Sequence, residues 1–261
     1  MNLSGVVRIR NGMARYQVTL SYDGTDFHGF QRQGSARTVQ NEVENALRAL
    51  GWAGRSILSS GRTDTGVHAR GQVIVFDLDW KHSPATLLKA FNAHLPQDIA
   101  AREVVLTGES FHPRYDAVWR YYEYTILIDL LPNPLQERYA WRIEQEPDFQ
   151  RLQETAVSLL GKHDFRSFGA PMKKAGNTIR EVYEAAWRKQ ANSLIFGVRA
   201  NAFLYHMVRR MVLMQVLVGL GRLSMEMFLR GVHQAEPLPP GVAPPNGLTL
   251  IEVGYQRWSR L

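Results

Sequence analysis

Cysteine is absent from this 261-residue chain, which excludes structural disulfides, thiolate zinc sites and a cysteine nucleophile. Long hydrophobic runs are missing too. The nearest, Met211–Leu220, contains Gln215 and Gly219 and falls short of the roughly 20 apolar residues that cross a membrane as a helix. Residues 1–12 carry Arg8 and Arg10 but no apolar signal-peptide core, so no export signal is expected. Residues 1–14 are expected to form a flexible extension, and the protein to be cytoplasmic with no membrane contact. The eight histidines are scattered without metal-ligand spacing, and neither HExxH nor a Walker sequence occurs. Neither a metal nor a nucleotide cofactor is expected.

Lysine is scarce as well: arginine supplies 25 of the 31 basic residues, and the formal net charge is +7. The planar guanidinium fork suits bidentate phosphate contacts. Genome composition or heat adaptation gives the same bias, so composition alone does not decide for a nucleic-acid partner. The signal gains weight where arginines interleave with aromatics, as in His112-Pro113-Arg114-Tyr115 and Trp119-Arg120-Tyr121-Tyr122.

The most informative run is Ser60-Gly61-Arg62-Thr63-Asp64-Thr65-Gly66-Val67-His68-Ala69-Arg70-Gly71. It sets one carboxylate, Asp64, between glycines that permit a sharp turn and close approach. Hydroxyls and arginines around it are donors that keep a carboxylate ionised and oriented. The pattern suits a nucleophile or base that meets an anionic substrate. Asp64-Thr65-Gly66 also matches the aspartic-protease tripeptide, but that chemistry needs two carboxylates sharing a proton. The chain has one such tripeptide, and Arg62 precedes it where apolar residues belong. A structural aspartate in a turn is the more serious alternative.

Hydrophobic periodicity divides the chain into two halves with one order of elements. In the first, strands are expected at Tyr16–Tyr22, Ser56–Ser59, Gln72–Asp77 and Ala101–Leu106, with helices after Thr38 and from Ser83-Pro84 to Phe91. In the second, strands are expected at Trp119–Ile128, Val182–Lys189, Leu194–Arg199 and Leu248–Tyr255, with helices at Pro147–Leu160 and Phe203–Leu220. Both halves read βαββαβ, the split-βαβ order. The expected fold is α+β, with two ferredoxin-like domains, 15–107 and 108–261, and a catalytic cleft between their sheets. Insertions at Leu130–Glu146, Lys162–Arg180 and the proline-rich Glu236–Pro245 interrupt the second half.

Two further segments hold candidate site residues. Alternation along Trp119–Ile128 puts Arg120, Tyr122, Tyr124 and Ile126 on one face. A base stacked on Tyr122 gains roughly 1–3 kcal/mol, although aromatics on a strand also serve a core. Arg209 and Arg210 are adjacent on a helix and so point about 100° apart. Only one of them can reach a given site.

Together these motifs resemble the TruA-type tRNA pseudouridine synthases along nearly the whole chain from about Arg15. The likeness rests on Tyr22-Asp23-Gly24-Thr25 with Phe27–Gln33, on Gly61–Ala69, on Arg120–Tyr124 and on His163–Phe168. It extends through Asn201–Arg209 and Ala243–Leu250. Phe30 stands where that family commonly has tryptophan, and Tyr121 where a basic residue often sits. The resemblance implies isomerisation of uridine to pseudouridine at nucleotides 38, 39 and 40 of the tRNA anticodon stem-loop, without a cofactor, by a homodimer. One protomer would hold the tRNA body while the other receives the base. It also implies roles: Asp64 as the catalytic carboxylate, Tyr122 stacking on the uracil and assisting deprotonation, and Arg209 pairing with the aspartate. Arg62 would contact the RNA backbone or fill the space of the extruded base.

Overall fold

The computed structural model describes residues 12–171 and 176–256; of the expected extension 1–14, residues 1–11 lie outside the described residues, and Ala14 belongs to the first strand. The chain divides into two units, one ending at Ala117 and rejoined by 252–256, the other 118–251. The division falls ten residues beyond the expected 107/108, because 108–117 pack with the first unit. Arg15 Nη1 donates to the carbonyls of Glu109 and, at 3.3 Å, of Phe111. Tyr255 donates to the Pro113 carbonyl at 3.0 Å.

The first unit runs β1 (Ala14–Tyr22), α1 (Val39–Ala49), β2 (Leu58–Ser59), β3 (His68–Leu78), α2 (Pro84–His94) and β4 (Ile99–Leu106). Its strands lie in the order β4-β1-β3-β2, all antiparallel. β1 alternates because one face is core: Val18 and Leu20 are fully buried, as are Val39, Val43 and Leu47 of α1 and Leu87 and Phe91 of α2. Each such side chain removed from water contributes about 1.5–3 kcal/mol. Thr38 starts α1 by accepting the Asn41 amide, and Ser83 starts α2 by accepting that of Thr86, satisfying amides that a helix cannot. α2 runs past the expected Phe91 to His94, one residue short of Leu95-Pro96, where the residue before a proline leaves helical backbone.

The second unit contains β5 (Trp119–Ile128), α3 (Pro134–Glu137), β6 (Trp141–Ile143), α4 (Phe149–Ser158), β7 (Gly161–Asp164), β8 (Ile179–Gln190) and β9 (Ser193–Ala200). These are followed by α5 (Met207–Gly219), α6 (Met225–His233) and β10 (Leu248–Gly254), whose residues from Glu252 on count with the first unit. Within it β5 lies between β10 and β9, with β8 and β7 beyond, and β6 adds in parallel to β5. Setting aside α3, β6, β7 and α6, the sequence is again βαββαβ. The α+β class is therefore observed.

α5 begins four residues later than the expected Phe203. His206 takes the left-handed conformation, φ 63°, and the Tyr205 amide donates to the Ala170 carbonyl at 2.9 Å. An apolar run that reads as helix is thus held extended by a partner 35 residues earlier. No helix among the described residues is long and apolar enough to cross a membrane.

The core of the second unit closes on one buried polar cluster. Gln215 of α5 accepts the Trp187 indole N–H at 2.9 Å and the Thr155 hydroxyl at 3.3 Å, and donates to the Met211 carbonyl at 3.1 Å. Gln215→Ala takes the acceptor from a buried indole and leaves a cavity. We expect a loss of about 2–4 kcal/mol in chemical denaturation.

Candidate active site

Asp64 sits in an eight-residue loop between β2 and β3, residues 60–67. β3 starts at His68, four residues earlier than the pattern indicated, so the loop is short and both ends are anchored. At the entry, the Ser60 amide donates to the Val73 carbonyl at 2.9 Å. The buried Gln72 side chain accepts the Ser60 hydroxyl at 2.5 Å and donates to the Gly61 carbonyl at 3.0 Å. At the turn, the Val67 amide donates to the carbonyl of Asp64 at 3.1 Å. The Asp64 side chain is half-buried, whereas Arg62 and Thr65 on either side are exposed.

The segment 22–30 lies against this loop. The Phe30 amide donates to the Thr63 carbonyl at 3.0 Å and the Gly66 amide to the Phe27 carbonyl at 3.3 Å. His68 Nδ1 accepts the Gly24 amide at 3.0 Å. The Tyr22 and Thr63 hydroxyls meet at 2.8 Å in a buried contact. Two glycines allow this approach. A Cβ on Gly24 would stand 2.0 Å from the Val67 carbonyl oxygen, and one on Gly29, at φ +81°, 2.8 Å from that of Thr63. Phe27 and Phe30 are buried beneath, so phenylalanine fills the place at 30 where tryptophan is common in the resembled family.

Tyr122 lies on β5 in the second unit, opposite Val198 of β9. The face shared by Arg120, Tyr122, Tyr124 and Ile126 is graded: the last two are fully buried, the first two half-buried. Tyr122 therefore stands where that face opens. Phe203 packs edge-on against its ring, with centroids 5.0 Å apart. Tyr124 continues inward, where burial raises its hydroxyl pKa and the Arg209 charge opposes the rise. Its hydroxyl donates to the Pro244 carbonyl at 2.7 Å.

Arg209 is the third residue of α5 and buried, 9% exposed. Its Nε donates to the Ala243 carbonyl at 2.7 Å, and the Ala243 amide returns a bond to its carbonyl at 3.2 Å. Arg210 turns elsewhere, as helical geometry requires, and donates to the carbonyls of Ser167, Pro239 and Gly241 at 3.0–3.2 Å. The proline-rich insertion is thus held along its length by two successive arginines. The second unit brings Tyr122, Tyr124 and Arg209 into one region; the first holds Arg62 and Asp64.

A matching family model, described as tRNA pseudouridine synthase, covers residues 19–116 and 155–256. The chain belongs to the tRNA pseudouridine synthase family. It is an enzyme, an isomerase of that class. Three similar proteins carry the name tRNA pseudouridine synthase A. That of Streptococcus equi subsp. equi is 39% identical over 249 residues, covering 94% of this chain and 100% of the relative. That of Methylacidiphilum infernorum is 38% identical over 245 residues, covering 92% and 95%. That of Pseudothermotoga lettingae is 38% identical over 245 residues, covering 93% and 100%.

Arg62, Asp64 and Arg209 lie inside the segments matched by the tRNA pseudouridine synthase model, and Tyr122 falls in the interval between them. At Tyr121, where the resembled enzymes often carry a basic residue, a cation is present all the same. Arg199, its partner across the β5–β9 ladder, stacks 4.6 Å from the Tyr121 ring and 4.0 Å from that of Trp119. Burial, then Glu123, pushes the Tyr121 hydroxyl up to about 12. Other motif residues are absorbed by the fold. Asp164 accepts the Arg166 amide at 3.1 Å, and the Arg166 guanidinium holds its carboxyl below the usual range. Asn246 donates to the Glu137 and Ala140 carbonyls at 2.6 and 2.9 Å. Composition and spacing gave no hint of Tyr22 or Phe203, whose contacts join distant parts of the chain. A groove of about 320 Å³ beside Met13, Trp52 and Leu58 is lined by neither Asp64 nor Arg62.

Gly24→Ala tests how tightly the loop is held. The new Cβ must displace the Val67 backbone, so we expect at least about 2 kcal/mol of destabilisation by denaturant melting, with loss of isomerase activity in the fraction that folds.

Proposed function

We propose that the enzyme converts uridine to pseudouridine at nucleotides 38, 39 and 40 of the tRNA anticodon stem-loop, with Asp64 as the reacting carboxylate. The observation that carries this reading is the Asp64 loop itself: a half-buried carboxylate on a turn closed by its own carbonyl. The family membership and the resemblance of the surrounding motifs supply the substrate. The two βαββαβ units are read as ferredoxin-like domains that contribute different parts of the chemistry.

The reaction breaks the bond from C1′ to uracil N1 and forms one from C1′ to C5. N1 gains a proton and C5 loses one, so no electron is gained or lost and no redox cofactor is called for. Asp64 serves as the nucleophile or base that assists departure of the base from the ribose. Tyr122, restrained by Phe203, offers a ring for the detached uracil to stack on and a hydroxyl to help remove the C5 proton. Arg209 is the arginine that the resemblance assigns as partner of the catalytic carboxylate, and its Nε donates to the Ala243 carbonyl. Arg62, exposed beside Asp64, contacts the RNA backbone or fills the gap left in the stem. Flipping a paired base costs a few kcal/mol, which phosphate contacts by the arginines offset. By the same resemblance the enzyme is a cytoplasmic homodimer in which one protomer holds the tRNA body while the other receives the base.

Asp64→Asn keeps the side-chain shape and removes the charge. We expect pseudouridine formation to vanish while tRNA affinity stays within about threefold; turnover by this variant would end the assignment. Tyr122→Phe keeps the stacking surface, so a 10²–10⁴-fold fall in rate is expected if its hydroxyl moves a proton, measured by single-turnover kinetics. Affinity should also fall steeply with added salt, as counterion release demands; a flat response in filter binding would contradict a tRNA-sized footprint.

A further inference from the structure

We propose that Tyr22 is a positioning residue of the isomerisation, acting on Asp64 through Thr63; this rests on the reading of Asp64 given above. Tyr22 ends β1 with its ring in the core, only 4% exposed, 6.4 Å from Phe30. A phenylalanine would fill that space equally well. The hydroxyl is a burden there, because a buried polar group needs a partner. Its partner is the Thr63 hydroxyl, 2.8 Å away on a residue 7% exposed. Thr63 is bonded directly to Asp64, and its own carbonyl is fixed by the Phe30 amide at 3.0 Å.

Thr63 is thus gripped by both backbone and side chain, from two different residues of the segment facing it. A residue held at both points cannot rotate about its backbone, and rotation at 63 would swing the Asp64 carboxylate by ångströms. Displacement of about 1 Å at a reacting group can cost on the order of 10²-fold in rate. Other ties of the loop to that segment, Gly66 to Phe27, Gly24 to His68 and His68 to Asp23, lie on the far side of Asp64. On the near side the Tyr22–Thr63 bond joins the loop to that segment through side chains, next to Asp64 itself.

The test compares Tyr22→Phe, Thr63→Val, the double variant and Thr63→Ser in the full-length protein. Three quantities are read: single-turnover pseudouridine formation at saturating tRNA, tRNA dissociation constant, and amide hydrogen exchange across 60–68. We expect each hydroxyl-less single variant to lose 10–100-fold in rate, with affinity within threefold. The double variant should lose no more than either single one, since both remove the same bond. Thr63→Ser, which keeps the hydroxyl, should recover most of the rate. The loop amides of Gly66 and Val67 should exchange at least tenfold faster in Tyr22→Phe, with the β1 and β3 amides unchanged. Wild-type rates in Tyr22→Phe, additive losses in the double variant, or unchanged loop exchange would overturn the proposal. Absence of pseudouridine formation by the wild-type protein would instead refute the assigned reaction, and loop exchange would still decide the positioning role.

Discussion

The contact on which the candidate site depends is backbone against backbone: residues 24–30 laid on the loop 63–68. Carbonyl and amide groups there approach so closely that Gly24 and Gly29 leave no room for a Cβ. The approach ties a loop, ordinarily the mobile part of a protein, to its neighbour at several points. Hydrogen bonds at Gly24, Phe30, Thr63 and Gly66 fix the backbone, and Gln72 secures the entry from β3. A carboxylate on such a support needs little reorganisation to act, which is the condition for a precise reacting group.

The second unit solves a related problem with arginines. α5 is largely apolar and buried, yet it begins with two adjacent guanidinium groups. Each donates to backbone carbonyls of the proline-rich insertion, and Arg210 also to that of Ser167. Prolines lack amide donors, so this insertion is poorly suited to a ladder of its own, and its carbonyls accept from the arginines. The insertion is thereby held near β5, where Tyr124 also takes the Pro244 carbonyl. Arg209 therefore has a structural task alongside the chemical one proposed for it, and Arg209→Ala would confound the two.

Legibility in the sequence followed the range of the interactions. Strands with one buried face, such as β1, and helices with local caps, such as α1 and α2, were readable because the signal lies within a few residues. Asp64, with its glycines and arginines in one run, was readable for the same reason. The start of α5 was not, because the Ala170 carbonyl and the left-handed His206 act against an apolar pattern that favours helix. α3 and β6 were hidden in an insertion whose order depends on Asn246, more than 100 residues away. α6, two and a half turns with a Ser224 cap, carried a local signal too short to stand out between glycine and proline stretches. The bond from Tyr22 to Thr63 crosses 41 residues, and no spacing rule reveals a hydroxyl pair of that kind.

The most direct measurement is a nucleotide-resolution pseudouridine map of an unmodified tRNA transcript bearing uridines at 38, 39 and 40, incubated with the purified wild-type protein and no added cofactor. The account predicts pseudouridine at those nucleotides and nowhere else in the transcript. An unmodified map, or pseudouridine elsewhere with these three untouched, would contradict it.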